Sequence, residues 1–205
     1  MTAEPVWASS VLPEWPGLTG ARLRLFEVAL ELFGERGYHA VSVRELTTAL
    51  GHQPGALYFH VPSKQQLLFE LIRIGFEFHR DTLQAALRPA DPSPIEQIKA
   101  LTRAHVRLHL DYPALTRVAS RETRSLTDEH AAAIRSVRLE TEQVFHDVIS
   151  RGIALGEFTV AGPYLATKAI AGMGIRAPEW WSPSEGPPKT EVIETYAEFA
   201  VKLLT

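Results

Sequence analysis

The chain has 205 residues, 45% hydrophobic and 22% charged, with a net charge of −3. This is the balance of a globular protein, not of a disordered or fibrous one. It has no cysteine, which excludes disulfides, thiolate chemistry and cysteine-held metal. No apolar run reaches the roughly 18 to 20 residues of a membrane span, and the N-terminus lacks the basic-then-apolar order of a signal peptide, so a cytoplasmic protein without a membrane partner is expected.

Residues 1–17 carry Pro5, Pro13, Pro16 and Gly17 and predict a flexible lead-in. From Thr19 onward Leu23, Phe26, Leu30 and Phe33 recur at helical spacing, and Gly37 ends that helix. Ser42-Val-Arg-Glu45 has the pattern of a capping box and opens a second helix that Gly51 stops. Pro54 can begin a short third helix to about Phe59, since proline is tolerated in a first turn. Ser63-Lys-Gln-Gln66 is a second capping-box candidate, and it opens a long helix to about Leu87. Further helices are predicted over Pro94 to Leu110, Ala114 to Ser125, Thr127 to Leu155, Pro163 to Ala177 and Thr190 to Leu204. No period-2 strand pattern and no repeat is present. The fold class expected is all-α.

Two helices joined by a tight glycine turn form a helix-turn-helix, whose second helix enters the DNA major groove. Here that helix opens Gln53-Pro54-Gly55-Ala56. Gly55 and Ala56 are small enough to let the backbone approach the groove floor. Gln53 can read adenine, and the Ala56 methyl can meet a thymine methyl. Ser42, Arg44, Tyr58, His60 and Lys64 carry donors of the kind that hold phosphates and set docking register. The start of the helix after Ser63 can add backbone N–H groups.

These stretches resemble the TetR family of bacterial transcriptional regulators. "RLRLFEVALELFGERGY", "SVRELTTALG" and "GALYFHVPSKQQLL" are similar to its first, second and third helices with the start of the fourth. Val61 stands where the family usually has phenylalanine, His52 where it often has valine, and Val41 at a position often held by a phosphate-binding threonine. The resemblance implies a three-helix helix-turn-helix DNA-binding domain over 18–63. It also implies a helical ligand-binding and dimerisation domain over 64–205. The partners it implies are a near-palindromic double-stranded operator, a small-molecule effector and a second copy of the chain, held through the last two helices. It implies a repressor that is not an enzyme and needs no cofactor.

The central helices offer a candidate effector pocket. Its expected lining is Phe76, Leu83, His105, Leu108 and His109, with Leu115, Val118, Phe145, Ile149 and Met173. "AHVRLHLDYPALTRVASRETRSLTDEH", "GEF" and "GMGIRAPEWWSP" are similar to the C-terminal domains of TetR-type repressors of fatty-acid and steroid catabolism, many of which answer acyl-CoA thioesters. A hydrophobic or acyl-CoA-like effector is therefore expected, with Arg103, Arg107, Arg121, Arg124 and Arg176 as possible anion partners.

The competing reading is a helical-bundle metal protein or enzyme. His105 and His109 sit four apart on one helix face, a metal-ligand spacing, and Glu122, Glu142 or His146 could add a third ligand. Against it, the chain lacks the Glu-x-x-His motif of di-iron bundles and the G-x-S-x-G nucleophile motif.

Overall fold

The structure, a computed structural model, describes residues 11–51 and 53–205, with the backbone alone at Pro54. Residues 1–10 of the expected lead-in and His52 lie outside the described residues. The elements are α1 (Gly20–Arg36), α2 (Val43–Ala49), a 3-10 helix (Pro54–Phe59), α3 (Lys64–Leu87), α4 (Pro94–Asp111), α5 (Pro113–Arg121), a 3-10 turn (Glu122–Ser125), α6 (Asp128–Ala154), α7 (Pro163–Trp180) and α8 (Lys189–Leu204). The fold is all-α; no strand occurs among the described residues. None of the described helices is long and apolar enough to cross a membrane.

The chain divides into two compact units. Unit 1 is the chain up to Glu77 with Tyr112–Ser136, and unit 2 is Phe78–Asp111 with Val137–Thr205. α3 and α6 each contribute residues to both.

Unit 1 forms around one stripe of α1. Leu25, Phe26, Ala29, Leu30 and Phe33 are buried there, and Leu46, Leu57, Leu67, Leu71, Leu115 and Val118 close over them. Each large side chain so buried is worth about 1.5 to 3 kcal/mol. α2 begins as its sequence dictates. The Ser42 hydroxyl accepts from the Glu45 N–H, and the Glu45 carboxylate accepts from the Ser42 N–H at 2.7 Å. It ends at Gly51, whose φ of 73° lies in the left-handed region that only glycine adopts freely. Val41 fills an interior position and is buried.

Two local expectations differ from what forms. The lead-in is seated from Leu12 onward: Leu12 and Leu18 are buried and Trp15 packs against the same core, so apolar burial fixes this stretch despite its prolines. The Ser63 box is half made. The Ser63 hydroxyl accepts from the Gln66 N–H at 3.0 Å, but the Gln66 amide turns to Glu70 instead of back to Ser63.

In unit 2, α4 packs on α7 and α8. Leu83, Ile98, Leu101, Phe145, Ile149 and Ile170 make one core, and Val106, Ala177, Val192 and Ile193 a smaller one. α7 runs past Pro178 to Trp180, one turn beyond the expected end. Proline forfeits its own N–H and crowds the carbonyl four residues back, but it does not remove the N–H of the residues after it. The Trp181 N–H still closes onto the Ala177 carbonyl at 3.0 Å, and Arg176 pairs with Glu179 across the turn.

Candidate nucleic-acid interface

The 3-10 helix Pro54–Phe59 is the second helix of the helix-turn-helix, and alternation of apolar residues sets how it lies. Leu57 and Val61 are each 1% exposed and anchor its inner side. The residues between them turn outward: Tyr58 is 59% exposed and Phe59 88%. Gln53 and Gly55 are exposed, and Ala56 and His60 half-buried. Gln53 has an extended backbone and makes no side-chain cap bond, so its amide is not spent on starting the helix. The site thus offers a hydroxyl, an amide, an imidazole and a bare aromatic ring on one short segment. Phe59 was missed in the sequence. Its signal was the spacing of Leu57 and Val61, which forces Phe59 outward on any helix that buries both.

The other candidate donors are not equivalent. Arg44 is exposed on α2. The Ser42 hydroxyl is held in the capping box, where it also donates to Glu45 at 2.7 Å. The Glu45 carboxyl is held down to about 2, first by the Ser42 backbone N–H, then by the Ser42 hydroxyl and Arg36. Lys64 is half-buried, not splayed outward. Its ammonium donates to the Tyr38 carbonyl at 2.6 Å and lies 3.9 Å from the centre of the Tyr38 ring. Loss of water lowers its pKa. One of its three N–H donors is therefore committed to joining the start of α3 to the chain after α1.

The expected pocket residues fall in more than one place. Phe76, Leu115 and Val118 belong to the core of unit 1, whereas Leu83, Phe145, Ile149 and Met173 belong to the larger core of unit 2. Leu108 is buried on α4.

His105 and His109 are buried as well, and they meet a third imidazole, His79 of α3. The His105 Nε2–H donates to the Ala171 carbonyl at 3.0 Å, which leaves its Nδ1 as an acceptor for the His79 Nε2–H at 2.9 Å. The His109 Nδ1–H donates to the His105 carbonyl at 2.9 Å. Burial holds all three imidazoles neutral, pushing His79 down to about 3 and His109 to about 4, with His105 also well below its ordinary range. The ring of His105 fits because Gly174 of α7 has no side chain; a methyl there would occupy the ring's own space.

Both ring nitrogens of His105 are engaged, and among the described residues no group of three or more His, Asp or Glu is placed to hold a metal ion. Glu142 pairs with Lys168 at 2.6 Å, and His146 lies beside Gln143 and Ser150. Of the arginines considered for anions, Arg103 is taken by Glu194 and Arg176 by Glu179.

Comparison with known proteins gives the family. Residues 25–71 match the family described as bacterial regulatory proteins, tetR family, and residues 91–204 the family described as tetracyclin repressor-like, C-terminal domain. The HTH-type transcriptional repressor KstR2 of Rhodococcus jostii (strain RHA1) is 27% identical over 146 residues, which is 69% of this chain and 70% of that protein. A crystal structure of a tetR-family regulatory protein from Rhodococcus RHA1 is 31% identical and superposes with a TM-score of 0.83, covering 91% of this chain and 97% of that one. AibR, crystallised with isovaleryl coenzyme A and operator DNA, shares the fold at 20% identity with a TM-score of 0.78, covering 85% of this chain and 95% of that one. The chain belongs to the TetR family of DNA-binding transcriptional regulators.

Proposed function

We propose that the chain is a repressor that grips its operator through residues 18–63 and is released when a hydrophobic or acyl-CoA-like effector enters the helical part, residues 64–205. The observation that carries this reading is the outward edge of the 3-10 helix, where Tyr58 stands 59% exposed on a segment whose other side is locked into the core. Gln53, Gly55 and Ala56, with the backbone of Pro54, face the bases. Tyr58, His60 and Arg44 hold phosphates, Ser42 joins them by turning its hydroxyl from Glu45, and Lys64 adds the N–H donors that Tyr38 leaves unused.

One such helix reads only a few base pairs, so two copies must act together. The second copy docks on α7 and α8. Ile175 and Trp180 on the first and Phe199 and Leu203 on the second are large apolar side chains left exposed. Tyr196 and Phe199 lie 6.2 Å apart between ring centres and continue the patch. Such a patch is what a homodimer face covers.

AibR's isovaleryl coenzyme A suggests the effector class. The neutral imidazoles of His79, His105 and His109, with the buried Thr102, Thr141 and Thr167, are the polar part of a mostly apolar interior in unit 2, the mixture that small-molecule sites use. Release works by population shift, with the effector favouring a dimer whose heads no longer match the operator spacing. α3, which contributes to both units, is the lever.

The test is fluorescence anisotropy with a duplex recovered by this chain from a randomised library, at several salt concentrations, with and without isovaleryl coenzyme A. Affinity is expected to fall steeply with salt and further with the thioester. A duplex affinity indifferent to salt would overturn the DNA contacts. Unchanged affinity at saturating thioester would overturn that effector class alone.

A further inference from the structure

The 3-10 helix that faces DNA is six residues long, and 3-10 hydrogen bonds are poorly aligned. Its inner anchors, Leu57 and Val61, set how deep it sits. They do not set its tilt. At its exit the last carbonyls have no further N–H of the helix to meet, and Pro62 brings none. A side chain from another helix fills that gap. Arg22, in the first turn of α1, donates from one arm of its guanidinium to the His60 carbonyl at 2.5 Å. Its other arm pairs with the Glu70 carboxylate on α3. The second oxygen of Glu70 accepts from the Gln66 amide at 3.3 Å, and the guanidinium lies 5.1 Å from the centre of the Phe26 ring. Arg22 and Glu70 are both partly buried, with side chains 33% and 15% exposed.

We propose that Arg22 is a positioning residue for operator recognition: it fixes the exit of the DNA-facing helix against α1 and α3, and so aims Tyr58, Phe59 and His60, without itself holding a phosphate. The chemistry favours this over a direct contact. The planar fork of a guanidinium suits two fixed acceptors, and here both arms are occupied. Its charge is answered by Glu70, an anion that by Coulomb repulsion alone would only weaken DNA binding. The inference rests on the proposed DNA face, and the two can fail separately.

The two roles give opposite signs at Glu70. If Arg22 were a phosphate contact, Glu70→Gln would free the guanidinium, remove a negative charge and tighten binding. As a positioning pair, the same change loosens the exit of the helix and weakens binding. The experiment uses the full chain and two probes, the library-selected duplex and a duplex of alternating dI·dC, across a range of salt. Circular dichroism and melting are recorded for every variant. Glu70→Gln and Arg22→Gln are each expected to weaken the selected duplex roughly ten-fold, the equivalent of one charge-assisted hydrogen bond. Binding to dI·dC should change far less, and the slope of log affinity against log salt should stay the same. Arg22→Lys keeps the charge but cannot bridge both acceptors, so it should behave like Arg22→Gln. Tighter binding by Glu70→Gln, or a salt slope shallower by about one in Arg22→Gln with rescue by Arg22→Lys, would overturn the inference. If Arg22→Gln fails to fold, the sign at Glu70 still decides. Should the unaltered chain bind neither probe, the DNA reading itself has failed.

Discussion

In unit 1 the polar groups that matter stand at the rim, held from below. Tyr58 and Phe59 face outward while Leu57 and Val61 hold the segment in place, and Arg22, Lys64 and Ser42 each donate or accept inside the unit to brace what lies next to them. In unit 2 the arrangement is inverted. Three imidazoles, His105 and His109 buried and His79 half-buried, cluster in a mostly apolar interior and bond to one another and to the Ala171 and His105 carbonyls. Exposed donors with braced backbones can reach a large, charged, rigid partner. Enclosed neutral ones can answer only something small that enters, or a proton. The same residue type therefore does different work in the two regions: His60 lies at the rim, half-buried, whereas His105 is sealed.

The contrast breaks most severely if the sealed cluster is forced open. Gly174→Ala puts a methyl where the His105 ring lies, and overpacking of this kind costs about 1 to 3 kcal/mol. A lowered urea midpoint is expected; an unchanged midpoint would mean that the rings are not held as described.

Acid should find the same weakness without mutation. Imidazoles pushed below their unfolded value of about 6.5 bind fewer protons folded than unfolded. Their contribution is complete above that value and is lost as the pH falls through it toward about 4 for His109 and about 3 for His79. For His109 alone the loss by pH 5 is about 2 kcal/mol. His109→Gln should flatten the fall in stability between neutral and mildly acid pH; an undiminished slope in that variant would assign the acid sensitivity elsewhere.

The smallest effect belongs to the rim. Ser42→Ala removes the cap of α2 and should cost about 1 kcal/mol by denaturant unfolding. It should also let the Glu45 carboxyl titrate at higher pH, because the Ser42 hydroxyl contributes to holding it at about 2. A cap loss with no movement of the Glu45 titration would separate the two roles of that serine.

How much could be read from the residues alone follows from the range of each interaction. The Ser42–Glu45 box and the Gly51 stop act within a few residues and were legible as motifs. The extent of the short helix, Pro54–Phe59, was legible too, because proline and the apolar spacing bound it. The commitment of Lys64 was not: its acceptor, the Tyr38 carbonyl, is 26 residues away and carries no side-chain signature. His105 and His109 were singled out by spacing, but their partner His79 comes from another helix, 26 residues before His105, and no local pattern links it to them. Burial of Leu12 and Leu18 was masked by the prolines around them, since local breakers say nothing about what a segment packs against.

The most direct measurement is the operator affinity of Tyr58→Ala beside its melting temperature. Tyr58 is 59% exposed and outside the core, so melting should hardly change while affinity for the selected duplex falls at least ten-fold. Full affinity in a normally folded Tyr58→Ala protein would contradict the assignment of this edge to DNA.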